Sequence, residues 1–101
     1  MEKEACKIVW NKKAERQIGE IFDYIAEDSF QNAVKVVRAI EHQVSSLVSN
    51  PHKYPIDKQR KISSVNYRVF IKYSYKVSYF VGKDFIRIIR IRHTKMKPLK
   101  Y

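Results

Sequence analysis

The sequence predicts an α+β fold in the order β-α-α-β-β-β, with a helical hairpin packed on one face of a small, mostly antiparallel sheet. Three observations carry that expectation. Residues 67–92 (YRVFIKYSYKVSYFVGKDFIRIIRIR) alternate in side-chain character, as strands do when successive side chains point to opposite faces. Residues 13–49 instead carry apolar side chains at helical spacing, in two runs. The strand runs have one apolar and one mixed face, so the helices cover one side of the sheet and leave the other open.

The chain begins with a short apolar, β-branched stretch, Lys7 to Asn11 (KIVWN), which reads as a first strand. Asn11 is placed to cap a helix from Lys13 to Glu27, whose stripe is Ala14, Ile18, Ile21, Phe22 and Ile25. Asp28-Ser29 interrupts that run and offers a second cap. A second helix follows from Phe30 to Ser49, with Ala33, Val37, Ile40, Val44, Leu47 and Val48 on its stripe. Asn50-Pro51 ends it, because proline disfavours a helical residue before it. The short link makes the two helices an antiparallel hairpin. Residues 52–64 (HKYPIDKQRKISS) form a polar, basic loop, and residues 93–101 (HTKMKPLKY) a basic tail.

Parity fixes an expected register for the three strands between them. A two-residue turn at Tyr73-Ser74 would pair Lys72 with Tyr75 and put a lysine on the apolar face. A three-residue turn from Tyr73 to Tyr75 pairs Lys72 with Lys76 instead, with Tyr67, Val69, Ile71 and Tyr73 facing the helices. A three-residue turn from Gly82 to Asp84 pairs Val81 with Phe85, Val77 with Ile89 and Lys76 with Arg90. Lys72, Lys76 and Arg90 then form a row on the open face, with Arg92 one step further. Like charges opposite each other on a sheet repel, so a polyanion gives that row a purpose that folding does not. The same register leaves Arg87 on the apolar face beside Tyr79, unless a bulge shifts the last strand.

The 101 residues suffice for one domain, residues 1–101, with a modest core. Net charge is +11 and uneven: residues 1–50 hold 7 Lys/Arg and 8 Asp/Glu, whereas residues 51–101 hold 14 Lys/Arg and 2 Asp/Glu. A surplus confined to the sheet half reads as a footprint for phosphates or for an acidic partner. No stretch is long and apolar enough to cross a membrane, and MEKEACKIVW has no apolar signal region, so a cytoplasmic location is expected. Cys6 stands alone and reads as a small apolar strand residue. His42, His52 and His93 are scattered, which gives no metal constellation, and two glycines make no phosphate loop; no cofactor is expected.

Only Asp57 and Asp84 supply carboxylates in the sheet half, so any chemistry there falls to Lys, Arg, His and Tyr. That set suits phosphodiester cleavage by a ribose 2′-hydroxyl, with cations stabilising phosphate charge and an imidazole or phenol moving protons. Arg68, Lys72, Lys76, Arg90 and Arg92 are the candidate cations. His93, at the end of the last strand, is either the acid–base group or a capping or core histidine.

The chain resembles the RelE/ParE superfamily of toxins from bacterial type II toxin–antitoxin modules, the plasmid stabilisation proteins. The resemblance rests on KIVWN followed by an alanine-containing helix, LVSNPHKYP, the strand YKVSY, and IIRIRH followed by KMKP. It implies the same fold with a bare basic sheet face. RelE-like members cut mRNA in the ribosomal A site, which is the activity the resemblance is taken to imply; the alternatives are a ParE-like inhibitor of DNA gyrase and a non-toxic relative that only binds its antitoxin. On the nuclease pattern, which implies an endoribonuclease that blocks translation, Arg68, Lys76, His93 and Tyr101 are catalytic. Lys72, Arg90, Arg92 and Lys95 then bind RNA. The chain departs from that pattern at Phe70, where a lysine is usual, and at Lys76, where an arginine is usual. The partner implied is an acidic antitoxin in a hetero-oligomer.

Overall fold

The computed structural model describes residues 6–57 and 67–95. Strand β1 (Lys7–Trp10) leads into helices α1 (Lys12–Ala26) and α2 (Phe30–Ser46), and strands β2 (Tyr67–Lys72), β3 (Tyr75–Val81) and β4 (Phe85–His93) follow. The sheet order is β1-β4-β3-β2; β1 runs parallel to β4, and the other pairings are antiparallel. The expected α+β architecture is therefore the one observed.

Both helices start where their caps predict. The Asn11 side chain accepts the Ala14 N–H at 2.9 Å, and the Ser29 hydroxyl accepts that of Asn32 at 3.1 Å. Helix α2 ends at Ser46, three residues before the expected Ser49. The N–H groups of Leu47 to Asn50 tighten into bonds three residues back, a 3₁₀-like run-out toward Pro51. Ala33, Val36, Ile40, Val44 and Leu47 face the core; Val36 takes the place expected of Val37, and Val48 is exposed. Ala14, with Ile18, Ile21 and Ile25 packed behind it, contributes the α1 side. The sheet supplies Phe70, Tyr75, Val77, Tyr79, Ile86, Ile88 and Ile91.

The register differs from the expected one at both hairpins. Lys72 pairs with Tyr75, so Tyr73-Ser74 is a two-residue turn with φ of 50° and 67°. Those are the left-handed values that a type I′ hairpin turn needs, adopted here by two residues that have a Cβ. A one-residue slip turns every side chain to the other face. Phe70 is consequently buried in the core, Arg68 and Lys72 share its side, and Tyr67, Val69 and Ile71 lie on the outer face, Ile71 being 59% exposed. The lysine that argued against this turn avoids burial by reaching out at the sheet end, where its ammonium lies 5.1 Å from the Tyr73 ring centroid.

At the second hairpin Val81 pairs with Ile86 around a two-residue Lys83-Asp84 connection. The close approach here needs Gly82, because a Cβ at that position would run into the Phe85 ring. The pairing shifts by one more residue at a bulge beside Ser78 and Tyr79, so Val77 pairs with Ile91, Lys76 with Arg92 and Ser78 with Arg90. Ile86 and Ile88 turn inward before the bulge and Ile91 after it. Arg87 turns outward, its guanidinium carbon 5.1 Å from the Phe85 ring centroid, which removes the one conflict in the expected register. Beyond β1, the outer edge of β4 has no strand partner among the described residues. There the Gln17 side chain of α1 accepts the Ile91 N–H at 2.8 Å.

Residues 51–57 run along the free edge of β2. The Val69 N–H donates to the Pro55 carbonyl at 3.0 Å and the Asp57 N–H to the Tyr67 carbonyl at 2.7 Å, with Ile56 bridged to Arg68. A segment expected as loop thus covers a sheet edge.

Candidate functional site

The expected basic row does not exist as a row. Lys72 sits on the helix side of the sheet, while Lys76 and Arg90 keep to the outer side, opposite Arg92 and Ser78 respectively. Nor is the outer face bare at its centre, because Arg90 and Ser78 are each only 3% exposed. The Lys76 ammonium lies 3.5 Å from a carboxylate oxygen of Asp57, itself 6% exposed. Asp57, one of two carboxylates in the basic half, has no role that the sequence pattern alone assigns. The signal that could have found it is the apolar and proline residues around it (YPID), which suit a segment laid against a sheet edge.

Arg68 turns away from the outer face. Its guanidinium donates to the Tyr54 carbonyl at 2.7 Å and the His52 carbonyl at 3.4 Å, pinning the 51–57 segment. The Tyr79 hydroxyl reinforces this by donating to the Pro51 carbonyl at 2.9 Å. Burial pushes the Tyr79 phenol above its ordinary value, and the nearby Arg68 charge pulls it back by less.

His93 pairs with Tyr75 across β3 and β4, edge-on at 5.0 Å between ring centroids. Its Nδ1 accepts the Lys95 N–H at 3.1 Å. It lines a cavity of about 540 Å³ with Gln17, Ile21, Tyr24, Tyr75 and Ile91, between α1 and the unpartnered end of β4. Burial raises the Tyr75 phenol too, with the neighbouring Tyr24 adding to the effect. Arg92 borders this cavity, and Lys95 is exposed beside it. Tyr101 lies outside the described residues.

The three described residues among those assigned to catalysis are therefore not brought together. Arg68 serves the edge segment, Lys76 belongs to the outer face, and His93 belongs to the α1 side. A second basic surface went unread: Lys35, Arg38 and His42 on α2 face Lys53 and Lys72 across an open groove of about 530 Å³.

A helical hairpin on a four-stranded sheet, in a chain basic in its second half, is the layout expected of the RelE/ParE superfamily. The family described as the ParE toxin of type II toxin–antitoxin system, parDE, matches residues 8–98, and the chain belongs to that family. Among solved structures, a chain from the chromosomal ParDE TA system of P. aeruginosa is 20% identical with a TM-score of 0.72, over 92% of this chain and 100% of that one. At that identity the likeness is one of fold. No curated protein sequence matches the chain. The protein is accordingly a toxin of a type II toxin–antitoxin module, with an antitoxin for partner. Among the described residues no helix is long and apolar enough to cross a membrane.

Proposed function

We propose that this toxin acts by binding its target, DNA gyrase, and not by cutting RNA. The observation that carries the reading is the use of Arg68, whose Nη1 donates to two main-chain carbonyls of the edge segment and so holds the guanidinium away from the outer face. A nuclease needs its cations and acid–base group within hydrogen-bond reach of one phosphate, and Arg68, Lys76 and His93 occupy three separate places. Membership of the ParE family supports gyrase as the target, since ParE-like members of the superfamily inhibit it. Gyrase as target also supports a cytoplasmic site of action. The antitoxin is acidic, to match a net charge of +11, and forms a hetero-oligomer with the toxin. The apolar cavity at the unpartnered edge of β4 supports docking of an antitoxin segment there.

One observation favours the RelE-like ribonuclease reading. Lys76 and Arg92 are cross-strand neighbours on the outer face, with the Tyr67 and Phe80 rings 6.1 Å apart on the same face. In that reading Lys76 and Arg92, with Arg90 behind them, meet an RNA phosphate, and His93 and Lys95 close on it from the end of β4.

The test is a pair of assays on the purified toxin: gyrase supercoiling, and translation of a defined mRNA with cleavage mapping. Loss of supercoiling with intact mRNA is the expected result. Ribosome-dependent cuts with unimpaired supercoiling overturn it.

A further inference from the structure

We infer that the groove between α2 and the tip of the β2–β3 hairpin binds the phosphate backbone of duplex DNA. Lys35, Arg38 and His42 recur along one face of α2, and Lys53 and Lys72 stand on the opposite wall. Among the described residues the lining contains no Asp or Glu, and none of these side chains has a carboxylate partner. Four formal positive charges thus converge where folding alone would disperse them. Lys35 and Lys72 even share one ring, their ammonium groups 6.0 Å and 5.1 Å from the Tyr73 centroid. The left-handed Tyr73-Ser74 turn sets that ring in place, and strained backbone of this kind gathers at functional sites.

The chemistry of the walls selects the ligand. Ala39 is the only aliphatic residue among the described residues of the lining, so an amphipathic protein segment finds little apolar surface to bury there. Such a surface exists in the cavity beside β4. The aromatic faces are covered by lysines, Tyr73 by Lys35 and Lys72 and Tyr54 by Lys53 at 5.2 Å, so single-stranded bases have little to stack on. A shallow groove with cations on both walls fits phosphates presented by a duplex, the Gln43 amide and Ser46 hydroxyl between them already donating to the Tyr54 hydroxyl and the Gln43 carbonyl. That the duplex is DNA rests on the gyrase reading; that the groove takes phosphodiesters does not.

The test is binding of a short labelled duplex DNA, without gyrase, across a salt series. The wild-type toxin is compared with K35Q/R38Q/K72Q and with Lys83→Gln at the far turn, with circular dichroism to confirm folding. Each lost phosphate contact should flatten the slope of log affinity against log salt by about 0.9. The triple variant is expected to lose roughly two to three units of slope, and Lys83→Gln almost none. A wild-type slope in the triple variant overturns the inference, as does an equal loss in Lys83→Gln, which would mean diffuse attraction. Loss of affinity for the acidic antitoxin or for duplex RNA with DNA binding intact also overturns it. Supercoiling by gyrase with wild-type toxin present is scored separately, so failure of the gyrase reading and failure of the groove are told apart.

Discussion

Lys76 Nζ and Asp57 Oδ1, 3.5 Å apart, join the segment that covers β2 to the central strand β3. The pair places a carboxylate beside a lysine whose cross-strand neighbour is Arg92, and so relieves a like-charge contact. With Asp57 buried and the Lys76 side chain 20% exposed, screening by water is weak. Asp57→Asn is expected to destabilise the protein by about 1–3 kcal/mol, read from urea unfolding. A double-mutant cycle with Lys76→Met should give a coupling of about 0.5–3 kcal/mol. Zero coupling would mean that the two groups are merely adjacent.

The hairpin turn supplies a second prediction. Ser74 sits at φ 67° with a Cβ, a conformation that glycine adopts freely and most residues avoid. Ser74→Gly should raise stability by about 1 kcal/mol, seen as a higher Tm, while the Tyr73 ring keeps its lysines. A fall in Tm would show that the serine makes a contact worth more than the strain.

This turn also marks where the sequence stopped being readable. Helix caps at Asn11 and Ser29 carry their own chemistry, and the strand runs announce themselves by alternation, so element order and layers follow from local signals. Register does not. A type I′ turn is normally marked by Asn-Gly, and Tyr-Ser carries no such mark. Parity argues against Lys72 on the core side, yet a lysine at a sheet end extends past the core instead of entering it. Once the register of β2 slipped, every candidate residue on it changed face: Phe70 became core and Arg68 a clamp. The misplaced Arg87 marks the expected register of β4 as wrong, but the two-residue Lys83-Asp84 connection, not the bulge, is what turns it outward; Asp57 and the α2 groove depend on long-range placement that no local pattern encodes.

Tyr79 ties pH to stability. Its phenol is fully enclosed and donates to the Pro51 carbonyl, and burial raises its pKa above the usual 10.0. A folded-state value above the unfolded one means that the neutral form is favoured in the native state. Its contribution is fully present below about pH 10 and is lost as pH rises through the raised value. Wild-type stability is therefore expected to drop more steeply above pH 10 than that of Tyr79→Phe, which has no proton to lose there. Equal alkaline slopes for the two proteins would show that Tyr79 does not control the transition.

His93 separates the two activities. In the fold it packs edge-on against Tyr75 and accepts the Lys95 N–H, both of them structural contacts. An aromatic pair of this kind is worth about 0.5–1.5 kcal/mol. His93→Gln removes the ring but keeps a polar side chain, so it is expected to lower stability by about that amount. If the toxin inhibits gyrase by binding, the variant should still block supercoiling at concentrations within a few-fold of wild type. A general acid or base is instead worth about 10²–10⁴ in rate, so a nuclease would be nearly silenced. Toxicity on induction, measured beside the thermal melt, distinguishes these outcomes. A variant that melts within a few degrees of wild type yet has lost its toxicity would assign His93 to chemistry, and the binding mechanism would have to be abandoned.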